Sequence, residues 1–428
     1  MNWNLIFSFA AMLSFVTGFG LKQSLNQNPD SSSQSSIETI SDIHSGIWMP
    51  QTPGGAGSSL FVPPAVERDY FPTDEWRTKT LEEVGIDPTA IQNMEEYAFK
   101  RSSPEKDRVG IRTDGVVIIK DGYLVYERYA SEYDANKRHL IWSASKSVTN
   151  AVIGVAVKDG YVQLDEPAYL DYAPLNREET HPITINHLLR MSSGLYSNEM
   201  YESSPLQSTV NTMLFSAGHL DMGAYAAEQP VVAPPDTHWE YSSLTSTLLM
   251  AILKDKMDAA SYDDYPWSGL FEPIGIKSAI FERDVSGTFV GSSYVHMKPQ
   301  DMARFGFLFL NDGVWDGKQI LAEDWVSYST TVAPAMQTTK LTPEDLEGGT
   351  YGAQWWLNRS VPEWDIPIPF PDVPEDMFYA SGHWGQAIFI IPSLDMVIAY
   401  TADNRDDSMD YNQFLKLILE GVSKGSES

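Results

Sequence analysis

Among the 428 residues there is no cysteine. That absence excludes a disulfide framework, a thiolate nucleophile and any cysteine-ligated zinc or iron–sulfur centre, so covalent catalysis would need another side chain. Basic residues are scarce: 29 Lys and Arg stand against 58 Asp and Glu, a formal charge of -29. Such a surface repels phosphate backbones and anionic lipid, which argues against nucleic acid as a partner. Also missing are H-E-x-x-H, a P-loop, a glycine-rich dinucleotide turn after a strand, and the G-x-S-x-G elbow of α/β-hydrolases. The eight histidines are scattered, and pairs such as His181 with His187, or His219 with His238, read as surface or core residues. No metal and no other cofactor is expected.

What is present suffices for a sizeable core: 43% hydrophobic residues, with 12 tryptophans, in one large domain or two ordinary ones. The N-terminal stretch "MNWNLIFSFAAMLSFVTGFG" (residues 1–20) has an apolar centre followed by small residues, the pattern of a secretory signal. It carries no Lys or Arg ahead of the apolar run, so an uncleaved membrane anchor is the alternative. The run is short for a span of roughly 20 residues. Export to the periplasm or medium is therefore expected, with membrane contact only if the segment is retained. Residues 21–75, rich in Ser, Asn, Gln, Pro and Gly, read as a flexible leader, and 76–428 as the folded domain.

Within that domain "GVVIIKDGYLVYERYA" is two β-rich runs around Asp121-Gly122, a strong hairpin signal. Residues 147–285 read as helices and loops, among them "VTNAVIGVAVKDG", "TINHLLRMSSGL" and "SLTSTLLMAILKDKM". Two further strands, "QAIFIIPS" and "DMVIAYTA", precede a last helix, "MDYNQFLKLILEGV". Strands at both ends with helices between describe an α/β (α+β) domain: one sheet assembled from both ends of the chain, with a helical insertion.

The chemistry centres on "IWSASKSVTNAVIG". If a helix runs over 143–157, Ser143 and Lys146 share a face and their polar atoms can meet. A serine hydroxyl needs a neighbour to take its proton, and lysine does so only where burial depresses its pKa. Ile141, Trp142, Val148 and Val152 supply apolar flanks, and a helix N-terminus favours an anion. The spacing alone proves little, because Ser103-Pro104-Glu105-Lys106 repeats it inside the charged run "KRSSPEKDR", where nothing buries the lysine. An N-cap serine with a surface lysine is the plain alternative at Ser143.

Beyond the tetrapeptide, "WSASKSVTNAVIGVAVKDGYVQLDEPAYLDYAP", "HWEYSSLTSTLLMAIL" and "ASGHWGQAIFIIPSLDMVIAYT" appear in order. Together they resemble the penicillin-recognising serine hydrolases: class C β-lactamases, D-alanyl-D-alanine carboxypeptidases, esterases and 6-aminohexanoate-dimer hydrolases. The resemblance implies a β-lactamase/transpeptidase-like antiparallel sheet flanked by helices. It also implies Ser143 as nucleophile, Lys146 as its base, and Tyr241 as the tyrosine of the second element, with Ser243 where asparagine is usual. Tyr196-Ser197-Asn198 matches that second element literally but lacks the following helix; Tyr196 is instead expected beside the pocket, where nylon-oligomer hydrolases carry a substrate-contacting tyrosine. His383-Trp384-Gly385 stands where β-lactamases have Lys-Thr-Gly, which implies an oxyanion hole from the amides of Ser143 and Gln386. Replacing that lysine and threonine weakens any preference for a carboxylate, and Trp384 with Trp142 suggests an apolar wall. The implied activity is cleavage of a small ester or amide, of the 6-aminohexanoate-dimer hydrolase type. A β-lactamase or D-alanyl-D-alanine carboxypeptidase is the first alternative, and a silent substrate-binding relative the second. Oligomeric state is left open.

Overall fold

The computed structural model describes residues 66–422, apart from 102, 105–108, 131, 343–348 and 407. The signal or anchor segment, residues 21–65 of the leader, and Lys106 of the second Ser-x-x-Lys lie outside the described residues. Among the described residues no helix is long and apolar enough to cross a membrane.

Asp121 and Gly122 both have positive φ, 54° and 82°, as a two-residue type I′ turn requires. Across that turn β1 (Thr113–Lys120) pairs antiparallel with β2 (Tyr123–Tyr129), as the sequence predicts. The other edge of β1 takes the last strand of the chain. With β3 (Thr350–Tyr351), β4 (Trp356–Leu357), β5 (Phe378–Gly382), β6 (Gln386–Ile391) and β7 (Met396–Ala402), the order is β2-β1-β7-β6-β5-β4-β3 in a seven-stranded antiparallel sheet. Both ends of the chain thus build one sheet.

Each face of the sheet is covered by helices. Helix α1 (Pro88–Ala98) and the final helix lie on one side, where Ile91, Met94, Phe414 and Leu415 pack with Val116, Ile118, Phe389 and Ile398. Burying one such side chain is worth about 1.5–3 kcal/mol, so this layer is a principal source of stability. On the opposite face the helix Pro299–Leu310 contacts the strands at the sheet centre. Beyond it α2 (Ser145–Lys158) and α3 (Ser243–Asp255) pack together, buried along almost their whole length. A ribbon of His139–Leu140, Ile280–Phe281 and Val295–Met297 adds short strands at the margin of the expected helical region.

Two expectations change. Residues 66–75 are packed on the domain and are not leader: the Phe71 ring lies 5.4 Å from Trp315 and 6.1 Å from Phe307, and Arg68 pairs with Asp395. The helix expected over 143–157 begins instead at Ser145, preceded by a 3-10 turn over Trp142–Ala144. Ser143 is therefore not its N-cap. Trp142 adopts φ +47°, a left-handed conformation a non-glycine residue takes at a cost of about 1–3 kcal/mol, and it turns the chain sharply just before Ser143.

Candidate active site

Helix α2 carries Lys146 in its first turn, and burial decides that lysine's chemistry. Lys146 is 1% exposed. Its Nζ lies 3.1 Å from Ser143 Oγ, 2.9 Å from Ser243 Oγ and 3.2 Å from the Ser292 carbonyl oxygen. Desolvation lowers its pKa from the usual lysine range to about 8, partly countered by the negative charge of Glu199. A neutral amine has two N–H donors, enough for Ser243 and the Ser292 carbonyl. Its lone pair is then left for the Ser143 proton.

Tyr241 precedes α3 and holds its ring between Trp356, stacked at 5.4 Å, and the edge of Tyr351 at 5.7 Å. It lines the cavity together with Ser143, and Lys146 Nζ lies 4.8 Å from its ring centroid. Burial pushes the phenol well above its ordinary pKa, with the nearby Ser143 hydroxyl acting the other way. It therefore stays protonated where lysine does not. Ser143, Lys146 and Tyr241 are brought together as the sequence predicts.

Ser243 sits behind the lysine and not on the substrate wall. It is fully buried, accepts from Lys146, and donates from Oγ to Glu199 Oε2 at 2.8 Å, while its amide donates to Glu199 Oε1 at 2.6 Å. Sequence reasoning missed Glu199. The same segment contributes Tyr201, which lines the cavity and stacks on His383 with ring centroids 5.3 Å apart. Tyr196, expected beside the pocket, is 37% exposed and pairs through its backbone with Pro230, so Tyr201 takes that place. The signal was faint: Glu199 and Tyr201 alternate along an extended segment that shows no longer period.

Strand pairing sets which amides of β5 are left without a partner strand. Asn358 N donates to Met377 O, so the odd-numbered residues of β5 turn their amides toward β4. Strand β4 ends opposite Tyr379, which leaves the amides of Ser381 and His383 on an edge with no partner strand, and both residues line the cavity with Ser143. Gln386, expected in the oxyanion hole, is paired opposite Gly382 in the β5–β6 hairpin, and its side chain donates to Ala402 O. Gly382 itself cannot carry a side chain: a Cβ there would lie 2.0 Å from Ile141 O, so glycine lets β5 close against the nucleophile turn. Gly385 has φ +94° and its missing Cβ would meet Tyr411 Oη at 2.7 Å. Its glycine answers the turn and its packing, and it does not line the cavity.

The cavity at Ser143 has a volume of about 390 Å³ and runs over the sheet edge between Tyr241, Trp356, Phe370, Tyr379 and Phe389. Among the described residues lining it there is no Lys, Arg, Asp or Glu, and His383 is the one ionisable base. His383 Nε2 lies 3.0 Å from Glu202 Oε1. Trp142 meets Trp384 edge to face at 5.4 Å; expected as a wall of the substrate pocket, the two line not this cavity but a smaller hollow beside it. Ser103, the rival serine, bonds its hydroxyl to the Val109 carbonyl on an exposed loop.

A profile described as Beta-lactamase matches residues 98–420 of this chain. The 6-aminohexanoate-dimer hydrolase of Paenarthrobacter ureafaciens is 23% identical over 267 residues, which span 57% of this chain and 64% of that enzyme's length. A Bacillus anthracis structure provisionally assigned as a 6-aminohexanoate-dimer hydrolase superposes with a TM-score of 0.59 at 21% identity, covering 82% of this chain and 87% of that one. A family VIII carboxylesterase superposes with a TM-score of 0.56 at 14% identity, covering 78% and 96%. The match of fold, of most of the chain and of the expected order of elements leads to one conclusion: this chain belongs to the Beta-lactamase family, whose members share this antiparallel sheet flanked by helices.

Proposed function

We propose that the protein hydrolyses an ester or amide of a small molecule through an acyl-enzyme on Ser143. The observation that carries this reading is the buried Lys146 amine 3.1 Å from Ser143 Oγ, with its pKa lowered to about 8. Neutral Lys146 takes the hydroxyl proton as Ser143 Oγ attacks the carbonyl carbon. The oxyanion that forms accepts from the amides of Ser143 and Ser381, donors fixed by the turn and by the strand edge; losing one such donor costs about 2.7–4 kcal/mol. Tyr241, held protonated, delivers its proton to the leaving group as the tetrahedral centre collapses to the acyl-enzyme, and regains one from the Lys146 ammonium. Water then attacks the acyl carbon, the same groups moving its proton, and Ser143 is released.

The aromatic, uncharged lining of the cavity supports an apolar or aryl acyl group. It offers no cation to clamp the carboxylate of a β-lactam or a peptide terminus, which ranks the β-lactamase and carboxypeptidase readings second. A fluorophosphonate probe followed by peptide mass spectrometry tests the function. Attachment at Ser143 is expected; a label elsewhere, or none, refutes it. Nitrocefin measured beside p-nitrophenyl benzoate ranks the substrates, and fast nitrocefin turnover without esterase activity reverses that ranking.

A further inference from the structure

Behind the stacked rings of Tyr201 and His383 lies a second hollow of about 210 Å³. It shares those two residues with the Ser143 cavity, and Trp142, the residue before Ser143, forms part of its wall. A carbonyl held at Ser143 can therefore extend in two directions: the acyl part into the aromatic cavity, the leaving group toward this hollow.

The walls of the hollow have a consistent chemistry. Trp142, Tyr201, Phe215 and Trp384 supply aromatic rings, and the indoles of Trp142 and Trp384 stand nearly perpendicular at 78°. Apart from the His383 imidazole and the polar atoms of those rings, the polar groups are acceptors. Glu202 brings a carboxylate that also engages His383 Nε2, and Asn211 commits its Nδ2 to the Tyr201 carbonyl at 2.9 Å, so its amide oxygen is the group left for a ligand. Phe215 is 60% exposed at the end of the helix Thr209–Phe215, a large apolar ring that water covers poorly. Arg405 already lies 3.8 Å from the Trp384 ring centroid, with its charge balanced by Asp403 at 2.8 Å. Aromatic faces with a carboxylate beside them attract a cation, by about 0.5–2 kcal/mol per favourable ring. The net charge of -29 draws cations toward every cleft.

We propose that this hollow is the leaving-group subsite, and that it selects esters or amides whose leaving group carries a quaternary or protonated amine. The proposal rests on Ser143 as nucleophile. Its test compares benzoylcholine with 3,3-dimethylbutyl benzoate, which have the same acyl group and nearly the same shape, with carbon in place of the charged nitrogen. The expected result is a kcat/KM roughly 10-fold higher for the cation, the equivalent of about 1.4 kcal/mol. Glu202→Gln and Phe215→Ala should each bring that ratio toward unity; reading the ratio cancels any effect on steps common to both esters. Choline alone should bind the Ser143→Ala protein in calorimetry, and bind more weakly when either substitution is added. Equal rates for the two esters with no choline binding, or a preference untouched by both substitutions, overturns the subsite while leaving Ser143 in its role. Cleavage of neither ester together with no fluorophosphonate label on Ser143 overturns both.

Discussion

Replacing Glu199 by glutamine should move the pH dependence of turnover without removing turnover. Glu199 reaches Lys146 through Ser243 Oγ by two hydrogen bonds in series, 2.8 and 2.9 Å, so its charge lies within about 6 Å of the ammonium. Unit charges at that distance interact by about 3 kcal/mol at an effective dielectric of about 20, and by about 0.7 kcal/mol in bulk water. At about 1.4 kcal/mol per pKa unit, Glu199 raises the Lys146 pKa by between half a unit and two units. The direction agrees with its place as the counterweight to burial, which lowers the lysine to about 8. Since the neutral amine is the base, kcat/KM for p-nitrophenyl benzoate should rise with pH through an acid limb near 8 in the native protein. In Glu199→Gln the limb should fall to between about 6 and 7.5, so the variant gains relative activity at pH 6.5. A limb that stays in place, or moves upward, refutes the electrostatic link between Glu199 and Lys146.

Other residues give independent expectations. Lys146→Met should abolish turnover yet raise thermal stability at pH 7, because a lysine whose pKa falls from 10.5 to about 8 on folding is held at a cost of about 3 kcal/mol while both states are charged. Between about pH 8 and 10.5 the unfolded chain binds more protons, so the native protein gains stability as pH rises and the difference in Tm should shrink; a variant less stable at pH 7 contradicts the shift. Tyr241→Phe keeps the ring stacked on Trp356 and removes the phenol, so kcat should fall by about 10²–10⁴ with little change in Tm; steady-state kinetics beside calorimetry reads both. Gly382→Ala would place a Cβ 2.0 Å from Ile141 O, so loss of turnover with a drop in Tm is expected, against no change if β5 does not abut the nucleophile turn.

The parts of this fold readable from sequence are those in which neighbours along the chain decide the outcome. Asp121-Gly122 specifies its turn, and "QAIFIIPS" and "DMVIAYTA" form adjacent strands of the sheet. Ser143 and Lys146 lie three residues apart, so one turn of chain suffices to bring them together. By contrast β3 and β4 are two residues each, too short for any period; β4 is defined by pairing with β5, and β3 by pairing with β4. The open amide edge of β5 depends on where β4 stops, and Glu199 matters only because Ser243, 44 residues away, lies between it and Lys146. The left-handed φ of Trp142 likewise has no local signature; it falls in the turn whose preceding residue, Ile141, abuts Gly382.

Ser143 is proposed to carry the acyl group between two half-reactions, and everything else assigned to the site depends on it. Rapid quenching of the protein with p-nitrophenyl benzoate, followed by intact-mass and peptide mass spectrometry, measures this directly. A p-nitrophenol burst equal to the protein concentration and a benzoyl adduct on Ser143 are expected, both lost in Ser143→Ala and retained in Ser103→Ala. A burst that persists in Ser143→Ala, or an adduct on another residue, would contradict that role.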